Sequence, residues 1–145
     1  MTDRPTPALP EMLAVINPDH FSEPFWAKAR AHVLVCQQCT ACGTHRMPPS
    51  PICFACQSSS YDWDTLPGTG TIFTFTVTRH AFVPYLKGLT PYVVAVIDLD
   101  GAPGARLVSN IVNGPEQNVS IGARVRVVWD DVTDMVTTPK FDIIP

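Results

Sequence analysis

The sequence predicts a mainly β fold in three parts: an N-terminal helix, a four-cysteine ribbon and a five-stranded barrel. Three observations predict it. All five cysteines, Cys36, Cys39, Cys42, Cys53 and Cys56, fall between Val33 and Gln57. After Gly68 the hydrophobic pattern changes to the two-residue period of strands. Five short apolar segments separated by turn residues then fill the remainder of the chain, the pattern of a small barrel.

Residues 1–19 are rich in proline (Pro5, Pro7, Pro10, Pro18) and are expected to form a flexible or surface-draped arm. The stretch "DHFSEPFWAKARAHVL" reads as helix. Ser22 is placed to cap it, Pro24 suits its first turn, and Phe25, Trp26, Ala29 and Val33 recur near helical spacing. The helix and cysteine module together are expected over 20–66, with the barrel over 67–145.

In "GTIFTFTVTRH", Thr71, Phe73, Phe75 and Val77 alternate with Ile72, Thr74, Thr76 and Thr78, which predicts a strand. "PYVVAVIDLD" is apolar on both faces and suits a central strand ended by the turn "DGAPGA". "RLVSNIV" is a third strand and "ARVRVVW" a fourth. The fifth, "VTDMVTTPKFDIIP", is weaker because Pro139 confines it to an edge or breaks it. A five-stranded barrel of this size points to the OB-fold.

Composition narrows the function. Net charge is −3, with three lysines beside seven arginines, unlike proteins that gather positive charge to hold phosphate backbones. Nucleic acid is therefore not the expected partner, although a nucleic-acid-binding ribbon and barrel module remains the alternative reading. No apolar run approaches the ~18 residues of a membrane span, and "MTDRPTPALPEM" has no secretory pattern, so a soluble cytoplasmic protein is expected. In a reducing compartment clustered cysteines favour metal over disulfides.

Structural zinc takes four ligands tetrahedrally, and two thiolates from one tight turn need about two residues between them. Cys39 with Cys42 and Cys53 with Cys56 both offer that spacing. Gly43 lets the chain fold back after Cys42, so Cys39, Cys42, Cys53 and Cys56 are the expected zinc ligands. A register shifted to Cys36 with Cys39 is the alternative, and a redox pair is a weaker one. Cys36 otherwise behaves as a small buried hydrophobe. Pro48, Pro49 and Pro51 stiffen the insert between the pairs, and His45 within it reads as a loop residue because four thiolates saturate zinc.

Catalytic residues are scarce. His20, His32, His45 and His80 have no nucleophile or carboxylate at a recognisable spacing, and no phosphate-binding glycine loop occurs. No catalytic residue is assigned.

The segments "FWAKAR" (25–30), "CTACGTHRMPPSPICFAC" (39–56), "GTGTIFTFTVTRH" (68–80), "PYVVAVIDLDG" (91–101), "LVSNIV" (107–112), "IGARVRVVW" (121–129) and "TTPKF" (137–141) follow one another in an order that resembles the domain of unknown function 35 family. These are proteins with a rubredoxin-like zinc ribbon and an acyl-CoA-associated OB-fold. The resemblance covers about residues 20–144. It implies an accessory subunit in a hetero-oligomer, working beside a thiolase-like aldolase or acyltransferase, or a hydratase, on acyl-CoA esters, including those of steroid side-chain breakdown. The barrel would help hold the CoA thioester, while the ribbon and helix contact the partner that supplies the nucleophile or base. Such a surface needs cations for phosphates and an apolar wall for the pantetheine arm. Arg79, His80, Lys87, Tyr92, Asn110 and Lys140 are the candidates, with Tyr92 equally suited to the core and Lys140 to a solvated edge.

Overall fold

The structure is a computed structural model that describes residues 4–145; the first three residues of the expected arm lie outside them. The helix α1 spans Glu23–Arg30. It is shorter than the periodicity suggested because His32 adopts φ 58° and the backbone N–H groups of His32 and Val33 turn back to the carbonyls of Ala29 and Lys28. This closes the helix C-terminus in a Schellman arrangement, with His32 where glycine is usual. Ser22 does not cap the helix. Its hydroxyl donates instead to Asp19 Oδ1 at 2.8 Å.

Three short strands build the ribbon: β1 (Val35–Cys39), β2 (His45–Arg46) and β3 (Tyr61–Thr65), in the order β2-β1-β3 and all antiparallel. Five more form a closed barrel: β4 (Thr69–Thr78), β5 (Tyr92–Leu99), β6 (Arg106–Ile111), β7 (Arg124–Asp131) and β8 (Thr137–Ile143), ordered β4-β5-β6-β8-β7. Closure removes the free edges that an open sheet would expose.

Two strands depart from expectation. The alternation along β4 is interrupted by a bulge between Ile72 and Thr74. Ile72 enters the core, and Phe73, the extra residue, turns outward with the Arg106 guanidinium 3.6 Å from its ring centroid. Phe75 and Val77 then pack against the core again, because one inserted residue resets a period of two. Pro139 neither ends β8 nor leaves it at a free edge. It lies opposite Trp129 of β7, while β6 meets β8 in parallel only at Ile111 and Phe141, so the missing N–H falls at a thin seam.

β5 alternates between fully and partly buried residues, as its two apolar faces required. Val93, Ala95, Ile97 and Leu99 point inward and meet Ile72, Val125 and Phe141. Phe25 of α1 and Leu34, Val35 and Cys36 of the ribbon belong to the same apolar cluster, so helix, ribbon and barrel share one core.

The arm is tied to the barrel at one buried carboxylate. Asp130, fully buried on β7, accepts from Arg4 Nε at 2.6 Å and from the Leu9 backbone N–H at 2.8 Å. Thr6 and Asn113 add a reciprocal pair of bonds, Thr6 N–H to Asn113 Oδ1 and Asn113 N–H to the Thr6 carbonyl. No helix among the described residues is long and apolar enough to cross a membrane.

Gly70 marks a place where the barrel has no room. A Cβ there would sit 2.5 Å from the Asp98 carbonyl oxygen and 2.7 Å from Ile97. Gly70→Ala is expected to destabilise the chain by about 1–3 kcal/mol, the usual cost of overpacking, measured as a lower denaturant midpoint. An unchanged midpoint would show that the β4–β5 contact is looser than this packing.

Candidate metal centre and the cavities beside it

Two matching turns bring four sulfurs together. In the first, the Gly43 N–H bonds the Cys39 carbonyl at 2.9 Å and Cys39 N–H bonds Thr44. In the second, the Gln57 N–H bonds the Cys53 carbonyl at 2.8 Å and Cys53 N–H bonds Ser58. Gly43 and Gln57, each following the second cysteine of its pair, both have positive φ (78° and 62°). The first turn was legible from its glycine; the second hides the same conformation behind a glutamine.

Cys39 Sγ lies 3.6 Å from Cys56 Sγ, and Cys42 Sγ 3.6 Å from Cys53 Sγ, with all four atoms within 4.8 Å of one another. A tetrahedron with metal–sulfur bonds near ~2.3 Å has sulfurs ~3.8 Å apart, so the donor set fits a single zinc-sized ion. The electrostatics agree. The backbone N–H groups of Cys56 and then Ala55 draw Cys53 down to about 6, and that of Cys42 holds Cys39 below the ordinary thiol range. The Ser58 N–H also pulls on Cys56, but Cys42, burial and the other two sulfurs outweigh it and push that thiol up to about 12. A divalent cation bound there would take the place of the last proton.

Cys36 stands apart. It is fully buried, burial pushes its thiol up to about 11, and it donates weakly to the Arg46 carbonyl at 3.5 Å. The shifted register is therefore not the one formed. His45 is likewise no ligand: its Nε2 pairs with Asp64 Oδ2 at 2.9 Å across the ribbon.

Gln37 fixes the insert that follows. Its buried Oε1 accepts from Arg46 Nε at 2.9 Å and from the Ser50 N–H at 2.8 Å. Met47, Pro48 and Pro49 are thereby held over the barrel. With Phe25 and Trp26 of α1 and Val94, Val108 and Pro139 of the barrel they line an apolar cavity of about 430 Å³. A second cavity, of about 190 Å³, lies between the arm and the barrel.

Of the six proposed substrate contacts, three come together. Tyr92, Asn110 and Lys140 line the smaller cavity, and Asn110 and Lys140 line the larger one too. Lys140 is not on a solvated edge: it is 8% exposed and donates to Asn110 Oδ1 at 2.6 Å. Asn110 Nδ2 bonds the Val93 carbonyl, which fixes the amide so that its oxygen faces the lysine. Tyr92 is half-buried. Arg79, His80 and Lys87 line neither cavity. Arg79 bonds Glu116, His80 packs edge-on against Phe82 at 5.1 Å, and Lys87 is exposed.

The structure also pairs histidines that the spacing did not connect. His32 Nε2 lies 2.8 Å from Asp131 Oδ1, which also accepts from the Thr137 hydroxyl, and the His32 ring stacks on Trp129 at 5.5 Å. The residues are 99 positions apart, so only the fold reveals the pair. The stack and bond lock the end of α1 onto the barrel.

A four-thiolate ribbon joined through one core to a closed five-stranded barrel defines a class, the zinc-ribbon and OB-fold proteins. The chain belongs, within it, to the DUF35 family: residues 26–62 match the model described as "ChsH2, rubredoxin-like zinc ribbon domain" and residues 63–130 match "ChsH2, C-terminal OB-fold domain". A "DUF35 domain-containing scaffold protein" of Methanocaldococcus jannaschii is 31% identical over 79% of this chain and 82% of its own length. The chain is 38% identical, over 95% of its length, to a "Probable enoyl-CoA hydratase alpha subunit" of Thermomonospora curvata, of which it spans 39%. It is 33% identical to the "3-oxo-4,17-pregnadiene-20-carboxyl-CoA hydratase alpha subunit" of Mycobacterium tuberculosis, of which it spans 34%. Among solved structures, a chain of the "Ltp2-ChsH2(DUF35) aldolase" superposes with TM-score 0.79 and 31% identity, covering 89% of this chain and 98% of that one.

The metal assignment separates the two cysteine registers. Cys53→Ser is expected to abolish stoichiometric metal binding and lower the melting temperature, whereas Cys36→Ala keeps one metal per chain by elemental analysis. Loss of metal from Cys36→Ala would restore the shifted register. Affinity should fall as pH is lowered, because each bound thiolate must be reprotonated on release.

Proposed function

We propose that this chain is a zinc-containing accessory subunit that binds or positions an acyl-CoA thioester for a thiolase-like partner, an aldolase or acyltransferase. The observation that carries the reading is the likeness, over almost the whole of that chain, to a chain of the "Ltp2-ChsH2(DUF35) aldolase", a name that pairs two components. Steroid or lipid side-chain degradation is the setting this reading favours, on the name of the Mycobacterium tuberculosis relative.

The division of labour follows from the residues. Zinc, held by Cys39, Cys42, Cys53 and Cys56, supplies structure, since four thiolates leave no open position for substrate. The cavity of about 430 Å³ has the size and apolar lining that suit a pantetheine arm or an alkyl chain. Arg79, His80 and Lys87, on the segment between β4 and β5, line neither cavity and would meet phosphate groups outside it, Arg79 only by exchanging Glu116 for a phosphate. Asn110 and Lys140, which line that cavity, would face the bound ester, with Tyr92 beside them in the smaller cavity. The partner supplies the nucleophile or base.

A nucleic-acid role draws less support. Arg4, Arg30, Arg79, Arg106, Arg124 and Arg126 are each engaged by a carboxylate, and Arg46 is buried, so the arginines offer little free positive charge to a phosphate backbone.

Two measurements test the reading. The chain co-expressed with a thiolase-like partner should elute with it as one complex, and the partner should account for the turnover. An acyl-CoA should bind the zinc-loaded chain or that complex in calorimetry, weakening about 2- to 10-fold with Lys87→Glu, the scale of one exposed charge reversed. Full aldolase or acyltransferase activity of the chain alone would overturn the accessory role, and absence of any CoA-ester binding would overturn the ligand.

A further inference from the structure

The cavity beneath the arm has a charge balance that the CoA reading does not use. Lys140 is a buried amine on β8 whose one hydrogen bond among the described residues goes to a neutral amide, Asn110 Oδ1. An ammonium carries three donors, so two remain. Asp130, the carboxylate whose charge acts on Lys140, is already committed: Arg4 takes one oxygen and the Leu9 N–H the other. Asp130 thus serves two cations, Arg4, whose side chain is 32% exposed, and the buried Lys140, and burial draws the Lys140 amine below its ordinary value, with Asp130 offsetting part of that. Buried charges are ordinarily paired, and here the pairing is one anion short.

The walls say what kind of anion. Leu9, Leu13, Leu86 and Leu89 line the cavity together with Lys140, and the volume of about 190 Å³ is below the ~300–1,000 Å³ of pockets that enclose drug-sized ligands. A nucleotide is too large. Inorganic phosphate would leave the leucine surface unfilled.

We propose that this cavity is a binding site for a carboxylate carried on a short alkyl body, with Lys140 and Asn110 at the carboxylate and the arm as its outer wall. A free short-chain carboxylate and the terminal carboxylate of a dicarboxylic acyl group share this chemistry. The second source rests on the CoA-ester reading above; the first does not.

The test uses the zinc-loaded full chain and, as probes, hexanoate and its uncharged isostere hexanamide, followed by calorimetry. Hexanoate is expected to bind and hexanamide to bind roughly ten- to a hundredfold more weakly, the range of one lost charge-assisted hydrogen bond. Lys140→Met should weaken hexanoate by a similar factor. Leu86→Trp, which fills the cavity from the exposed loop and keeps the amine, should block it; this variant and the side-chain NMR signal of Lys140 in the unaltered protein, expected to shift with hexanoate, keep the test decisive if Lys140→Met fails to fold. Equal binding of the two probes, binding that survives Leu86→Trp, or no hexanoate binding overturns the site. Adipoyl-CoA binding more tightly than hexanoyl-CoA, in a Lys140-dependent way, identifies the acyl source; equal binding of the two esters identifies the free carboxylate, and failure of both esters with hexanoate still bound removes the CoA reading while leaving this site standing.

Discussion

Convergence of four sulfurs is the constraint on which the rest of the molecule depends. The ribbon sheet has strands of two and five residues, too short to hold their register by hydrogen bonds alone. Once Cys39, Cys42, Cys53 and Cys56 are joined through one ion, β1 is fixed against β2 and β3. Gln37 then sits where its single buried oxygen can receive both Arg46 and Ser50. That bond pair aims Met47, Pro48 and Pro49 at the barrel, and the larger cavity exists because they are there. A metal bound by these four sulfurs would thus shape a site that it does not touch.

The barrel returns the constraint. Its core continues without interruption into Leu34, Val35 and Cys36, and the Leu66 N–H bonds the Leu34 carbonyl at the crossing between the two parts. His32 stacked on Trp129 and bonded to Asp131 fastens the other side of the junction. Arg46 shows what this packing costs. Its guanidinium is almost fully buried with, among the described residues, only Gln37 and, at 5.8 Å, the Tyr61 ring as electrostatic partners. Cation–π attraction at a desolvated site contributes about 2 kcal/mol, which offsets part of the desolvation. A ribbon that was only a surface ornament would have no reason to bury a charge.

Much of the architecture was legible because it rests on local rules. Paired cysteines two residues apart, a glycine after the first pair and two-residue periodicity are all short-range signals, and the fold follows from their order. The failures share a different cause. The bulge at Phe73 is imposed by closing β4 against both β5 and β7, and nothing in "TIFTFT" marks which residue is extra. Pro139 pointed to an edge strand or a break because the sequence does not reveal that its missing donor would fall at the sparse β6–β8 seam. Gln57 conceals a left-handed turn, and the pairs His32–Asp131 and Lys140–Asn110 join positions far apart in the chain. The site was readable where one turn builds it and unreadable where the barrel does.

The same distinction sorts the proposed ligand contacts. Residue type nominated Arg79, His80, Lys87, Tyr92, Asn110 and Lys140 together, but burial divides them into groups with different physics. Lys87 is exposed, and screening limits what such a charge contributes to binding. Lys140 is buried, where a charge interacts more strongly and is more costly to leave unpaired. A cation at the mouth of a site adds to encounter rate and loose affinity; a cation at its floor decides which ligand is accepted. The arm makes that difference. By lining the cavity of Lys140 with Leu9 and Leu13 and drawing both oxygens of Asp130 into its own anchoring, it adds apolar surface beside the amine and leaves Asp130 to act on it only at a distance. Selectivity at the proposed carboxylate site would therefore belong to the arm as much as to the barrel strands beneath it.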